Sequence, residues 1–257
     1  HVFTQFDKQI DGSLKPLPKK NIYTGMGLER LCFIVEGKFS PFETTLFFPI
    51  ISKFIELNFE SFDDRFKKIS EFIMSNVSPA DYYTGLSELD AFEFFVPALR
   101  IISDHVKGAS FIISEGVFPS NEGRGYILRR LIRRAARYSM MCGVRKPVLK
   151  NLVEGVLEIY KDVYPQIEEN INLIKSVIEA EEKGFFETLE KGERYIDDLL
   201  SKKGSISGKE AFWIYETYGF PYELIKEIAS KKGIVISDKE FELAKKQAKE
   251  ISRKWEE

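Results

Sequence analysis

From Gly25 to Trp255 the apolar residues of this chain recur at helical spacing, and nothing later in the sequence returns to the alternation of a strand. Val2 to Phe6 alternates, and Ser13 to Leu17 reads as a second short strand across the turn DKQIDG, with KPLPKK interrupting before Asn21. A dense apolar segment then begins at Gly25 and ends near Gly37. Thr44 to Asn58 reads as the next helix. Further helices are predicted at Phe62 to Ser75, Glu88 to Glu115, Tyr126 to Cys142, Lys150 to Val163, Ile167 to Lys202, Lys209 to Thr217, Tyr222 to Lys232 and Lys239 to Trp255. Ser207 with Glu210 and Ser237 with Glu240 have capping-box spacing; Gly143 and Gly219 read as helix stops, and Pro221 as a first-turn proline. The expected fold is mainly α, with a small strand-containing piece at its start.

One helix carries an unusual face. In PSNEGRGYILRRLIRRAARY, Leu128, Leu131, Ile132 and Ala135 form a buried stripe. Arg129, Arg130, Arg133, Arg134 and Arg137 gather opposite, with no carboxylate between Arg124 and Tyr138. Ser120 or Asn121 can cap this helix, Glu122 suits the positive end of its dipole, and Gly123 and Gly125 mark a close backbone approach. Two readings stand side by side. The arginines pair with acidic residues from elsewhere in the chain, or their planar forks hold phosphate.

Composition limits the second reading to a local patch. With 38 Lys and Arg against 40 Asp and Glu, the net charge is -2, so affinity for nucleic acid cannot come from bulk charge. The run from Pro165 to Ser201 is strongly acidic, and its Ile167, Ile171, Ile174 and Ile178 make a narrow apolar stripe. Cys32 and Cys142 lie far apart in apolar settings, which predicts buried free thiols in a reducing, cytoplasmic compartment. With only His1 and His105 as imidazoles, no metal site and no zinc are expected. No apolar run reaches the roughly 18 residues of a membrane span, so no membrane partner is expected. Asp104 and His105 are adjacent on a helix and are not expected to face each other, which gives His105 a structural role. The aromatics of FFETLEKGERY and AFEFFVPAL read as core, whereas Trp213, Tyr215 or Tyr218 can line a groove.

The second chemical stretch is NIYTGMGLERL, Asn21 to Leu31. Glycines at a strand-to-helix junction expose amides at a positive helix end, and Arg30 one turn in can swing to an anion there. TGMGLERL resembles motif 3 of class II aminoacyl-tRNA synthetases in its alanyl form. ISDHVKGASFIISEGVFPSNEGRGYILRRLIRRAARY is similar to the long signature that follows it in that family, and EEKGFFETLEKG and SGKEAFWIYETYGFPYEL resemble two later blocks in the same order.

The resemblance implies a piece of a ligase that activates alanine with ATP and Mg2+ and transfers it to tRNA(Ala). It implies that residues 1–60 are the end of the class II antiparallel β catalytic core and 61–257 a helical domain that recognises the tRNA acceptor stem. Arg30 would take the catalytic role of holding the γ-phosphate, with Gly25 and Gly27 letting adenine and ribose approach. Asn121 matches the family's reader of a G·U pair, and Glu216 stands where the family has a second reader, an aspartate. Arg124, Arg129, Arg130, Arg133, Arg134 and Arg137 would be phosphate contacts.

Two departures qualify the transfer. The family's aspartate before TGMG, which pairs with the ammonium of alanine, is Tyr23 here, and a phenol does not supply that charge at neutral pH. HVFTQF begins like a strand entered midway, and motifs 1 and 2 and the zinc-binding editing domain do not appear. A fragment that does not activate alanine alone is therefore expected. Beside it stand a non-catalytic helical RNA-binding or interaction module derived from a synthetase, and a fold in which the acidic Glu168 to Asp198 helix docks on the arginine face.

Overall fold

The computed structural model describes residues 2–75, 89, 91–218, 220 and 222–255. It divides into two units, His1–Phe48 and Pro49–Glu257. The first contains an antiparallel hairpin of β1 (Val2–Lys8) and β2 (Leu14–Tyr23), then α1 (Leu28–Val35) and a 3-10 turn at Pro41–Glu43. The expected interruption at KPLPKK does not occur. Thr4 opposes Asn21 and Phe6 opposes Pro16, so Leu17, Pro18, Lys19 and Lys20 stand against Gln5 alone. Pro18 falls inside this irregularity and Pro16 at its edge, opposite Phe6, so the strand absorbs both at or beside the break in the ladder.

The next helix, α2 (Phe48–Asn58), starts later than its apolar spacing predicts. Thr44 instead closes the 3-10 turn, with its Oγ1 donating to the Pro41 carbonyl at 2.6 Å. Starting at Phe48 puts Pro49 in the first turn, where a missing N–H costs nothing.

The second unit continues with α3 (Asp64–Met74), α4 (Phe92–Ser114), α5 (Gly123–Met141) and α6 (Leu149–Tyr160). It closes with α7 (Pro165–Glu169), α8 (Ile171–Lys203), α9 (Gly208–Tyr218), α10 (Tyr222–Lys231) and α11 (Asp238–Trp255). Among the described residues the molecule is thus mainly α, with one two-stranded sheet. Helix α4 packs on α5, α6 and α8, and α9 packs on α8, α10 and α11. Phe95 is fully buried, stacked on Phe66 at 4.4 Å and edge-on to Phe62 at 5.2 Å. The aromatics of AFEFFVPAL therefore form core through Phe95. Leu128, Ile132 and Ala135 are buried as their spacing requires.

Three local expectations change in the tertiary context. The helix expected from Ile167 to Lys202 is broken at Asn170, whose side-chain amide donates back to the Gln166 carbonyl at 2.9 Å. Cys142 is buried as a free thiol, but Cys32 is only partly buried and donates to Glu36 Oε1 at 2.9 Å. His105 Nδ1 does meet the adjacent Asp104, at 3.1 Å, while the imidazole stays buried. Gly143 ends α5 with φ +93, where an added Cβ would stand 2.9 Å from the Ser61 carbonyl oxygen. The expected stop at Gly219, the first-turn role of Pro221 and the helix start at Glu88 lie outside the described residues.

Of the two expected capping boxes, one closes and the other is half made. Ser207 and Glu210 exchange bonds reciprocally, Ser207 N to Glu210 Oε2 at 2.9 Å and Glu210 N to Ser207 Oγ at 3.2 Å. Glu240 N donates to Ser237 Oγ at 3.3 Å, but the Glu240 carboxylate instead accepts from Gly208 N at 2.9 Å, tying α11 to the start of α9.

Helix α6 has no cap of its own. Glu182, fully buried on α8, accepts from Val148 N and Leu149 N, each at 3.0 Å. Burial pushes its carboxyl up to about 7, against the opposing pull of those two amides. A raised folded-state pKa means that the folded chain binds more protons than the unfolded chain between about 4.5 and 7. The stabilisation is complete below that window and is lost as pH rises through it. The carboxyls held low by partners, such as Asp63 and Glu154, titrate below the window. Denaturant unfolding at pH 5 and pH 8 is expected to lose about 3 kcal/mol from this group. Glu182→Gln should remove that slope, and an unchanged slope would refute the assignment.

Candidate nucleic-acid interface

Helix α5 presents its arginines beside the loop Phe118 to Glu122. That loop lies close because Gly125 has no side chain: a Cβ there would land on the Phe118 carbonyl oxygen and on Ser120. Neither Ser120 nor Asn121 caps the helix. The N-cap is Glu122, with no side-chain cap bond, and Ser120 Oγ donates to the Glu122 carbonyl at 2.8 Å instead. The loop therefore turns back along the first helical turn, which leaves the Asn121 side chain exposed and beside Arg129.

The arginines fall into two sets. Arg129 Nε donates to Glu181 Oε2 at 3.3 Å and Arg133 Nε to Glu181 Oε1 at 2.6 Å, so one carboxylate from α8 holds two of them. Arg129 Nη1 also donates to Asn121 Oδ1. The docking of the acidic helix on the arginine face is thus real, but it engages part of that face. Arg124, Arg130 and Arg134 are exposed, with no carboxylate at ion-pair distance among the described residues. Arg137 lies over the Tyr215 ring at 5.7 Å and Arg134 over Tyr138 at 5.8 Å, within cation–π range.

These helices enclose a groove of about 740 Å³. Arg130, Arg133, Arg134 and Arg137 line one side together with Tyr126 and Tyr138; Phe185, Tyr215 and Glu216 complete it. The groove thus gathers four of the arginines with Glu216, residues that are distant in sequence. Asn121 and Arg129 are joined to each other and reach Arg133 through Glu181, while Arg124 is not among the lining residues. Of the three aromatics near Glu216, Tyr215 lines the groove, whereas Trp213 and Tyr218 pack with Tyr195 at 4.9 and 6.1 Å. Guanidinium groups and tyrosine rings around one concavity suit a phosphodiester backbone, with Glu216 as a carboxylate acceptor for base or sugar donors. Glu181 was not singled out by sequence reasoning, although EAEE at Glu179 to Glu182 is the densest acidic run on the facing helix.

The glycine-rich stretch belongs to the first unit. Gly27 is the N-cap of α1, at φ −64 and ψ 135, with no side-chain cap bond. The Arg30 stem lies back along it, Cγ 3.8 Å from where a Gly27 Cβ would be. Tyr23 is exposed, and its hydroxyl lies 3.0 Å from the Cβ position of Gly25. Among the described residues no group of three or more His, Cys, Asp and Glu is placed to hold a metal ion, and no helix is long and apolar enough to cross a membrane.

The family model described as tRNA synthetases class II (A) matches residues 1–257. The chain belongs to the class II (A) tRNA synthetases. Among individual proteins, this synthetase chain is 48% identical over 255 residues to the alanine–tRNA ligase of Elusimicrobium minutum, covering 99% of the chain and 26% of the relative. It is 42% identical over 240 residues to that of Thermotoga maritima, covering 93% and 25%, and 35% identical over 257 residues to that of Chlorobium phaeovibrioides, covering 98% and 26%. The synthetase chain spans about a quarter of the length of these relatives.

Proposed function

We propose that this chain is the portion of an alanine–tRNA ligase that carries motif 3 and recognises the acceptor stem of tRNA(Ala), in the cytoplasm. The observation that carries the reading is the arginine-lined groove, with Glu216 in its wall and Asn121 beside it. In this reading Arg130, Arg134 and Arg137 donate to phosphate oxygens and set the register of the stem, with Arg124, Arg129 and Arg133 as further contacts. Asn121 and Glu216 read the G·U pair, because an amide and a carboxylate distinguish donors from acceptors on base edges.

ATP fits the first unit. The uncapped amides after Gly27 and the Arg30 side chain offer donors to negatively charged phosphate, and Gly25 and Gly27 leave the backbone open to adenine and ribose. Arg30 holds the γ-phosphate. Among the described residues no group of three or more His, Cys, Asp and Glu is gathered for Mg2+, and no step is assigned through it. Tyr23 offers no charge to the ammonium of alanine, and its ring bends over Gly25. That observation favours one second reading, a non-catalytic RNA-binding module derived from a synthetase. Motifs 1 and 2 in the same reading frame upstream separate the two: their presence supports the ligase, and their absence alongside stem binding supports the module.

The primary test is titration with an acceptor-stem minihelix of tRNA(Ala) in G·U and G·C versions across a salt series. Tighter binding of the G·U stem is expected. Asn121→Ala should cost about 1 to 3 kcal/mol on the G·U stem and much less on the G·C stem. Equal losses on both would remove Asn121 from base reading.

A further inference from the structure

Asn121 and Glu181 are linked through a single guanidinium. Arg129 donates from Nη1 to Asn121 Oδ1 and from Nε to Glu181 Oε2, and Arg133 donates from Nε to the other oxygen of the same carboxylate. The Glu181 side chain is 10% exposed, against 28% and 37% for Arg129 and Arg133, so the anion is the most withdrawn member of the group. Helices α5 and α8 are packed together and each also buries apolar residues, Leu128 and Ile132 on the first and Ile178 and Phe185 on the second. A partly buried ion pair is weak evidence for stability, and its effect is better sought in what it orients.

The geometry points to Glu181 as a positioning residue for base reading. Both of its bonds take Nε, which leaves the Nη groups of each fork for other partners. Arg129 uses Nη1 to hold Asn121, and Arg133 lines the groove, with its guanidinium carbon 5.9 Å from the centre of the Phe185 ring. A guanidinium has no acceptor, so the Asn121 atom facing Arg129 is the oxygen and the NH2 is the group presented to a ligand. Without Glu181, two cations one turn apart on α5 repel each other, and Asn121 loses its fixed partner. This inference deepens the acceptor-stem reading above and rests on it.

Two measurements on Glu181→Ala, Glu181→Gln and the unsubstituted chain separate the parts. In 15N spectra of the free protein, the Arg129 and Arg133 Nε–H signals should be protected in the unsubstituted chain and exchange away in Glu181→Ala, with the Asn121 NH2 pair moving towards its free position. An Asn121 signal that does not move overturns the positioning role, whatever RNA does. In minihelix titrations, the affinity ratio of G·U to G·C should fall about ten-fold in Glu181→Ala. Adding Asn121→Ala should lower the ratio no further, and Glu181→Gln, which keeps one acceptor oxygen, should fall between. The loss should fall on the G·U stem, while affinity for the G·C stem should hold or rise, since an anion beside the groove is gone. If both affinities and the melting temperature drop together at a constant ratio, Glu181 is only structural and the inference fails. If the unsubstituted chain has no G·U preference while the side-chain signals respond as expected, the recognition reading fails and the local positioning stands.

Discussion

Replacing Arg130 and Arg134 together by alanine is expected to weaken acceptor-stem binding by roughly a hundred-fold at moderate salt and to flatten the salt dependence by about two units of slope. These two residues sit four apart on α5, both face the groove, and neither has a carboxylate at ion-pair distance among the described residues. Four residues of helix separate their attachment points by about 6 Å along the axis, so both can engage one phosphate chain. The loss should be equal for G·U and G·C stems, because phosphate contacts carry no base information. Arg133→Ala is the informative comparison. Its charge is already shared with Glu181 at 2.6 Å, so its removal should change the slope much less than Arg130→Ala does. A slope that drops equally for the two would mean that the ion pair opens on binding, and a slope unaffected by Arg130 and Arg134 would place RNA elsewhere.

Gly125→Ala is expected to be a strongly damaging small substitution in the second unit. Its Cβ would occupy the space of the Phe118 carbonyl oxygen and come within 2.9 Å of Ser120 Cβ, and a backbone carbonyl cannot rotate away as a side chain does. The loop must move, at a cost of about 3 kcal/mol and roughly ten degrees in Tm. Because that loop carries Asn121, the preference for a G·U stem should vanish even at temperatures where the chain is folded. Gly184→Ala is the control. Nothing lies within 4 Å of the added methyl, and the residue is inside α8, so the substitution should stabilise by about 0.5 to 1 kcal/mol. Equal melting of the two variants would show that the loop does not pack against the first turn of α5.

Much of the architecture was legible because its signals are short-ranged. Stripes such as Leu128, Ile132 and Ala135 depend on neighbours three and four residues away, and these are buried as their spacing requires. The Ser207 and Glu210 box is equally local and closes fully. Errors arose where a local preference met a neighbouring element. KPLPKK reads as a break, yet it is carried within β2 because Pro18 falls where the ladder is irregular and Pro16 at its edge. Ser237 and Glu240 have the right spacing, but the glutamate finds the bare amide of Gly208 on another helix.

The candidate site divides along the same line. The sequence by itself determined that six arginines, from Arg124 to Arg137, stand without an interspersed acid on one amphipathic helix, and that Asn121 lies just before it. Which arginines remain available was decided only by the tertiary structure. Glu181 lies 48 and 52 residues from its two partners, and Glu182 lies 34 residues from Val148. Adjacent on one helix, the two glutamates do unrelated work, one orienting guanidinium groups and the other capping α6. Their fates depend on how α8 is rotated against α5 and α6, and that rotation is set by the packing of whole buried faces. No window of local sequence contains that information.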